Sequence, residues 1–186
     1  MYDRHHAVHH LDVIAGAWTY RVFLLANTLQ VDLAFVVETE FRPLAPTFRL
    51  IFGKANEPRH ASPPQAAAII GMAWLYALHA RSCIARRKLW QAEYMISGVR
   101  DNALALACLR HGLPATQGRG MDLLPTGVAT PLEASLVRQL NTAELSRAFK
   151  AVIQGLLREI QTTDAELAGR LEATLRRLAE TPPERG

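Results

Sequence analysis

The chain has 186 residues, enough for one ordinary domain or two small ones with a real core. Hydrophobic residues make up 49% and charged residues 20%, which excludes a disordered or fibrous protein. A net charge of +4 suits an anionic ligand such as a nucleotide. The basic residues form no run interleaved with aromatics on one face, so nucleic acid is disfavoured as a partner.

The chain opens with a histidine-rich stretch, His5-His6-Ala7-Val8-His9-His10. On a helix its i, i+4 pairs could grip a metal, but only Asp3 and Asp12 lie near enough in sequence to complete a shell, and an unspecific segment is the simpler reading. This stretch contains no apolar h-region, so no signal peptide is expected. Apolar runs elsewhere are broken by Arg, Asp, His or Gln, and no membrane span is predicted. The expected location is the cytoplasm.

From Trp18 to Val37 the hydrophobic period is two. WTYRVFLL and TLQVDLAFVV, separated by Ala26-Asn27, predict a tight antiparallel hairpin over about 19–37, and LDVIAG before them adds a short strand. TLQVDLAFVV reads as a buried strand, with Val31, Leu33, Phe35 and Val37 on its apolar face. Gln30, Asp32, Ala34 and Val36 take the other face. A carboxylate inside such a strand needs a partner or a use. The structural alternative for Asp32 is a pairing with Arg21 or Gln30.

Pro43, Pro46, Pro58, Pro63, Pro64 and Gly53 mark residues 41–64 as a loop or linker, within which FRLIFG is a brief strand or a turn. Everything after Pro64 reads as helix. PQAAAIIGMAWLYALHARSCIARR opens on a proline and closes on Arg86, Arg87 and Lys88, where the helix dipole favours cations. LWQAEYMISGVRDNALALACLRHG ends at the Gly112 cap. PLEASLVRQL starts at Pro131. NTAELSRAFKAVIQGLLREI starts with Asn141 as N-cap and Glu144 at N3, and TTDAELAGRLEATLRRLAE precedes a disordered tail, 181–186. Cys83 and Cys108 fall in apolar helical patterns as reduced, buried thiols. The expected fold class is α+β: a small antiparallel or mixed sheet followed by an antiparallel helical bundle, with domains at 1–57 and 64–180.

In the second long helix, residues 90, 93, 94, 97, 100 and 101 share one face. Trp90, Glu93, Tyr94 and Arg100 there combine stacking surface, a carboxylate and a cation, as a small-molecule pocket requires. Arg119, in the glycine-flanked QGRG loop, and Arg100 are candidates for phosphate contact. The structural alternative for Glu93 is an ion pair with Arg100 or Arg86.

Taken together, YRVFLLANTLQVDLAF, FRLIFG and LWQAEYMISGVRDNALALACLRHGLP resemble the nucleotidyltransferase superfamily of the antibiotic-modifying type, the aminoglycoside and lincosamide nucleotidyltransferases. The resemblance implies a sheet that binds Mg²⁺ and a nucleoside triphosphate, joined to a helical domain that shapes the site of a small, hydroxyl-bearing acceptor. It implies Asp32 as the third metal-binding carboxylate and Glu93 as general base. The family's Gly-Ser turn with Asp-x-Asp does not occur in these 186 residues. The expectation is therefore a truncated member, weakly active or inactive alone, or a non-catalytic relic that binds a nucleotide or partner. An exposed sheet edge or the helices would serve a homodimer.

Overall fold

The computed structural model describes residues 2–45, 47–59 and 63–180, without the side chain of Asp3. Pro46 and the expected disordered tail at 181–186 lie outside the described residues. The chain divides into two compact units, Met1–Ala61 and Ser62–Gly186, and each is described by itself.

The first unit is a three-stranded antiparallel sheet in the order β1 (Ala7–Ala15), β2 (Trp18–Leu25), β3 (Gln30–Phe35). A four-residue helix, α1 (Tyr2–His5), precedes it, and His6 at φ +52° turns the chain into β1. The histidine stretch is thus not one helix. His9 and His10 are successive strand residues on opposite faces, so the metal-gripping i, i+4 arrangement does not form. With nine residues, β1 is longer than the short strand expected. It joins β2 through Gly16-Ala17, where Gly16 supplies φ +61° at the first position of a two-residue turn.

The β2–β3 connection differs from the tight Ala26-Asn27 turn. It takes three residues, Ala26 to Thr28, closed by Leu25 N to Leu29 O and Thr28 N to Leu25 O, both 2.9 Å. The left-handed residue is Thr28, at φ +69°. Asn27 acts through its side chain instead, Oδ1 accepting from Leu29 N at 3.2 Å.

β3 is not the buried strand its pattern suggests. Leu33 is 41% and Phe35 52% exposed, while Phe23 of β2 is 6% exposed. Among the described residues of this unit, α1, a 3₁₀ turn at Glu38–Glu40 and loops are what is available to cover three strands, too little for a second layer. The loop after β3 packs by rings, Trp18 against Phe41 and Phe41 edge-on to Phe48. Arg42, 7% exposed, ties it down by donating to the carbonyls of Thr39 and Glu40 and to the Glu40 carboxylate. FRLIFG forms no strand.

The second unit is helical: α2 (Ala66–Ala85), α3 (Leu89–Arg110), α4 (Thr126–Glu133), α5 (Thr142–Thr163) and α6 (Ala165–Ala179). α2 is long and apolar enough to cross a membrane, and its Ile70, Ala73, Ala77 and Ala80 lie in a core shared with α3, α5 and α6. Two side chains decide how closely helices approach. The Tyr76 ring lies over Gly98, where a Cβ would come within 2.7 Å of it, and Leu132 of α4 fills the space above Gly155 of α5.

Helix ends follow capping chemistry. α2 and α3 both close with the 6→1 and 5→2 bonds of a Schellman motif: Lys88 N to Cys83 O with Arg87 N to Ile84 O, and Leu113 N to Cys108 O with Gly112 N to Leu109 O. The left-handed position is held by Gly112 at φ +66° in one and by Arg87 at φ +53° in the other. α4 starts at Thr126 rather than Pro131, because the amides of Val128 and Ala129 both bond to Pro125 O and nucleate the turn there. Asn141 caps α5 as expected, its Oδ1 accepting from Glu144 N at 2.9 Å. The Glu144 carboxylate does not reach back to the cap; it accepts from Arg138 N and from Arg147. Asp164 ends α5 and caps α6, accepting from Leu167 N at 2.9 Å.

Candidate functional site

In the sheet unit, strand pairing sets which side chains meet. Arg21 stands between Asp12 on β1 and Leu33 on β3. Its guanidinium donates to both Asp12 oxygens, at 2.7 and 2.6 Å. Those hydrogen bonds hold the Asp12 carboxyl below its usual range and raise Arg21 above its own. Arg21 is therefore spent on Asp12, and Asp32, one residue along β3, lies on the opposite face.

Asp32 finds its partner on its own strand. Gln30 Nε2 donates to Oδ1 and to Oδ2, both at 2.9 Å. Residues i and i+2 of a strand share a face, so this contact was available from the spacing alone. Asp32 is exposed, and its environment is water and an amide.

The magnesium expectation can be set against these residues. Two-metal phosphoryl chemistry needs several carboxylates to hold ions about 4 Å apart. No group of three or more His, Cys, Asp and Glu side chains able to hold a metal occurs among the described residues. The sheet unit, as described, does not fit that ligand set.

In the helical unit the predicted face of α3 forms a connected chain of hydrogen bonds. Ser97 Oγ donates to Glu93 Oε1 at 2.7 Å, and Arg100 Nη2 donates to Ser97 Oγ at 2.7 Å. Arg100 Nη1 is anchored on Ser135 O at 3.2 Å. Glu93 and Arg100 are therefore joined through a hydroxyl and not by the direct ion pair considered from the sequence, and Arg86 instead donates to Ser82 O. Glu93 is half-buried, and its Oε2 makes no hydrogen bond among the described residues. Trp90 and Tyr94 stand out into solvent at 77% and 63% exposure, Tyr94 edge-on to Tyr76. One turn of α3 thus presents two aromatic surfaces beside a carboxylate with one open oxygen.

Arg119 lies apart from this face, exposed in the turn before a short 3₁₀ segment at Met121–Leu123. It makes no ion pair among the described residues. Gln117 and Gly118 at φ +57° and +73° shape its turn. A groove of about 640 Å³ runs between α5 and α6, lined by Gln154, Arg158, Gln161, Thr162, Glu172 and Arg176 among others. Its volume is that of a small-molecule site, and none of the residues predicted from sequence lines it. Its polar residues sit on solvated helix faces, where sequence pattern does not separate a groove from an ordinary surface.

The sequence matches no protein-family model and no curated protein. Among solved structures, the fold is similar to that of an aminoglycoside 6-adenyltransferase from Bacillus subtilis. The TM-score is 0.52 at 10% sequence identity, over 92% of this chain and 78% of that one. At that identity the likeness is one of fold. The chain shares an α+β fold with that structure.

Proposed function

We propose that the chain is a nucleotidyltransferase-like protein that binds a nucleoside triphosphate, and that the reaction it belongs to moves a nucleoside monophosphate to a hydroxyl of a small acceptor. The observation that carries this reading is the fold shared with the adenyltransferase over 92% of the chain. In such a transfer the acceptor oxygen attacks the α-phosphorus, pyrophosphate leaves, and a base takes the hydroxyl proton. Glu93 is the proposed base: Oε1 is held by Ser97 while Oε2 stays open to a hydroxyl. Trp90 and Tyr94 offer stacking surface to the acceptor, and Arg100 on the same face offers positive charge to phosphate, whereas Arg119 stands apart from them. Magnesium would come bound to the triphosphate. With Asp32 bonded to Gln30 and no further carboxylates grouped beside it among the described residues, the chain supplies no cluster to hold that ion, and weak turnover or none by the chain alone is expected.

A second reading, a non-catalytic binder of the same fold, is favoured by the single, amide-bonded carboxylate at Asp32. One experiment separates the two. The chain is incubated with α-labelled nucleoside triphosphates, Mg²⁺ and hydroxyl-bearing acceptors, while binding is followed by calorimetry and product by mass. Binding with slow transfer supports the enzyme, and binding without transfer supports the binder. Absence of nucleotide binding overturns both.

A further inference from the structure

We propose that Asp32 sets the ligand preference of a hollow on the sheet unit by fixing the Gln30 amide, so that the hollow takes a planar heteroaromatic ring carrying an exocyclic amine. This rests on the nucleotide-binding reading and specifies which rings that reading accepts.

Cross-strand pairing places His9, Leu24 and Gln30 in one row and Leu11, Val22 and Asp32 in the next, all on one face. A hollow of about 140 Å³ is lined by His9, Leu11, Val22, Leu24 and Gln30 of this face and reaches His10 and Phe23 of the alternate pair. That is below the roughly 300–1,000 Å³ of a drug-sized site and suits a single ring system set against aliphatic and aromatic side chains.

The decisive feature is the direction of the amide. A carboxylate only accepts hydrogen bonds, so the end of Gln30 that faces Asp32 at 2.9 Å must be the NH₂. The amide cannot turn over without setting its carbonyl against a carboxylate. Gln30 Oε1 is thereby fixed as an acceptor on a residue that lines the hollow, and it makes no hydrogen bond among the described residues. A ring amine satisfies that oxygen. A ring carbonyl in the same place opposes acceptor to acceptor and leaves both unpaired. Adenine and cytosine carry the amine; hypoxanthine and uracil carry oxygen at the corresponding position. Asp32 is then a positioning residue that acts through Gln30.

The test uses the 186-residue chain and two nucleoside pairs, adenosine with inosine and cytidine with uridine, titrated by calorimetry or ligand-observed NMR. The amino member of at least one pair is expected to bind about ten-fold tighter or more. Preference in the purine pair alone assigns a purine, and in the pyrimidine pair alone a pyrimidine. In Asp32→Asn the new amide both donates and accepts, Gln30 is free to turn over, and the preference falls toward unity with the circular dichroism unchanged. Leu24→Arg, at a half-exposed position, closes the hollow and removes binding. Equal affinities within both pairs, a preference that survives Asp32→Asn, or undiminished binding by Leu24→Arg overturns the inference. If nucleotides bind but the amino and oxo members bind equally well in both the purine and the pyrimidine pair, the nucleotide reading stands and this inference falls. If no nucleotide or nucleoside binds, both fall.

Discussion

Arg110 of α3 and Glu159 of α5 are joined by three hydrogen bonds of 3.0 to 3.3 Å, with the Glu159 side chain 9% exposed and that of Arg110 27%. A buried carboxylate tolerates its position because the guanidinium is there. Removing one partner leaves the other charge uncompensated. Arg110→Ala should destabilise the helical unit by about 3 kcal/mol, the lower part of the range for broken buried pairs, since Arg110 keeps some contact with water. Arg110→Met with Glu159→Leu together should cost far less than Arg110→Ala alone. Denaturant unfolding of the three variants checks this, and a double variant worse than the single one would contradict it.

The α2 terminus carries a correctable conformational cost. Arg87 occupies the left-handed position that Gly112 fills at the end of α3. A side chain there costs on the order of 1 kcal/mol, while the motif's hydrogen bonds use only backbone atoms. Arg87→Gly should raise stability by about 0.5–1 kcal/mol, read as a higher denaturation midpoint with unchanged slope. A loss would mean that the Arg87 side chain makes a contact worth more than the strain.

Acid should loosen the start of α5. Hydrogen bonds from Arg147 and from the Arg138 amide lower the Glu144 carboxyl from its ordinary 4.5 to about 2. A depressed folded-state pKa contributes stability that is complete above the unfolded value and is lost as pH falls through the folded one. Between about pH 4.5 and 2 the wild type should therefore lose stability that Glu144→Gln has already lost. Parallel thermal melts across this window check the sign. Curves for the two proteins that stay a constant distance apart would refute it.

Where transfer is measurable, Glu93→Gln should lower kcat by about 10²-fold or more, the usual scale for a general base, with little change in nucleotide affinity. Ser97→Ala should give a smaller loss, because it releases Oε1 but leaves the carboxylate in place. Unchanged kcat in Glu93→Gln would reduce the Glu93–Ser97–Arg100 chain to a surface network that steadies α3.

Local chemistry was the most readable part of this molecule. The Asn141 cap and the Gly112 terminus each follow from one residue type at one spacing, and both form as expected. The hairpin strands were legible in their period of two, but their environment was not. Leu33 and Phe35 have the pattern of a core face and stand half in solvent, because burial depends on a second layer that no strand encodes. For the histidine stretch the metal arrangement was already the lesser reading, and helical spacing is irrelevant there because His6 adopts a positive φ and the chain continues as strand. At the candidate site, the shared face of Glu93, Tyr94 and Arg100 was readable from the helical repeat. The Ser97 relay and the anchor at Ser135 were not, since Ser135 lies 35 residues from Arg100.

The two cysteines can serve as a clock. Cys83 sits in the larger helical core and Cys108 in a smaller cluster with Ala107 and Leu124, each 1% exposed. Burial also pushes the Cys108 thiol up, further from its reactive thiolate. Neither sulfur can meet an alkylating reagent until its own cluster parts, so the rate of modification at each counts openings of that cluster. Equal rates would mean that the helices around both clusters breathe as one body. A faster Cys108 would mark the end of α3 as the place where the unit first comes undone.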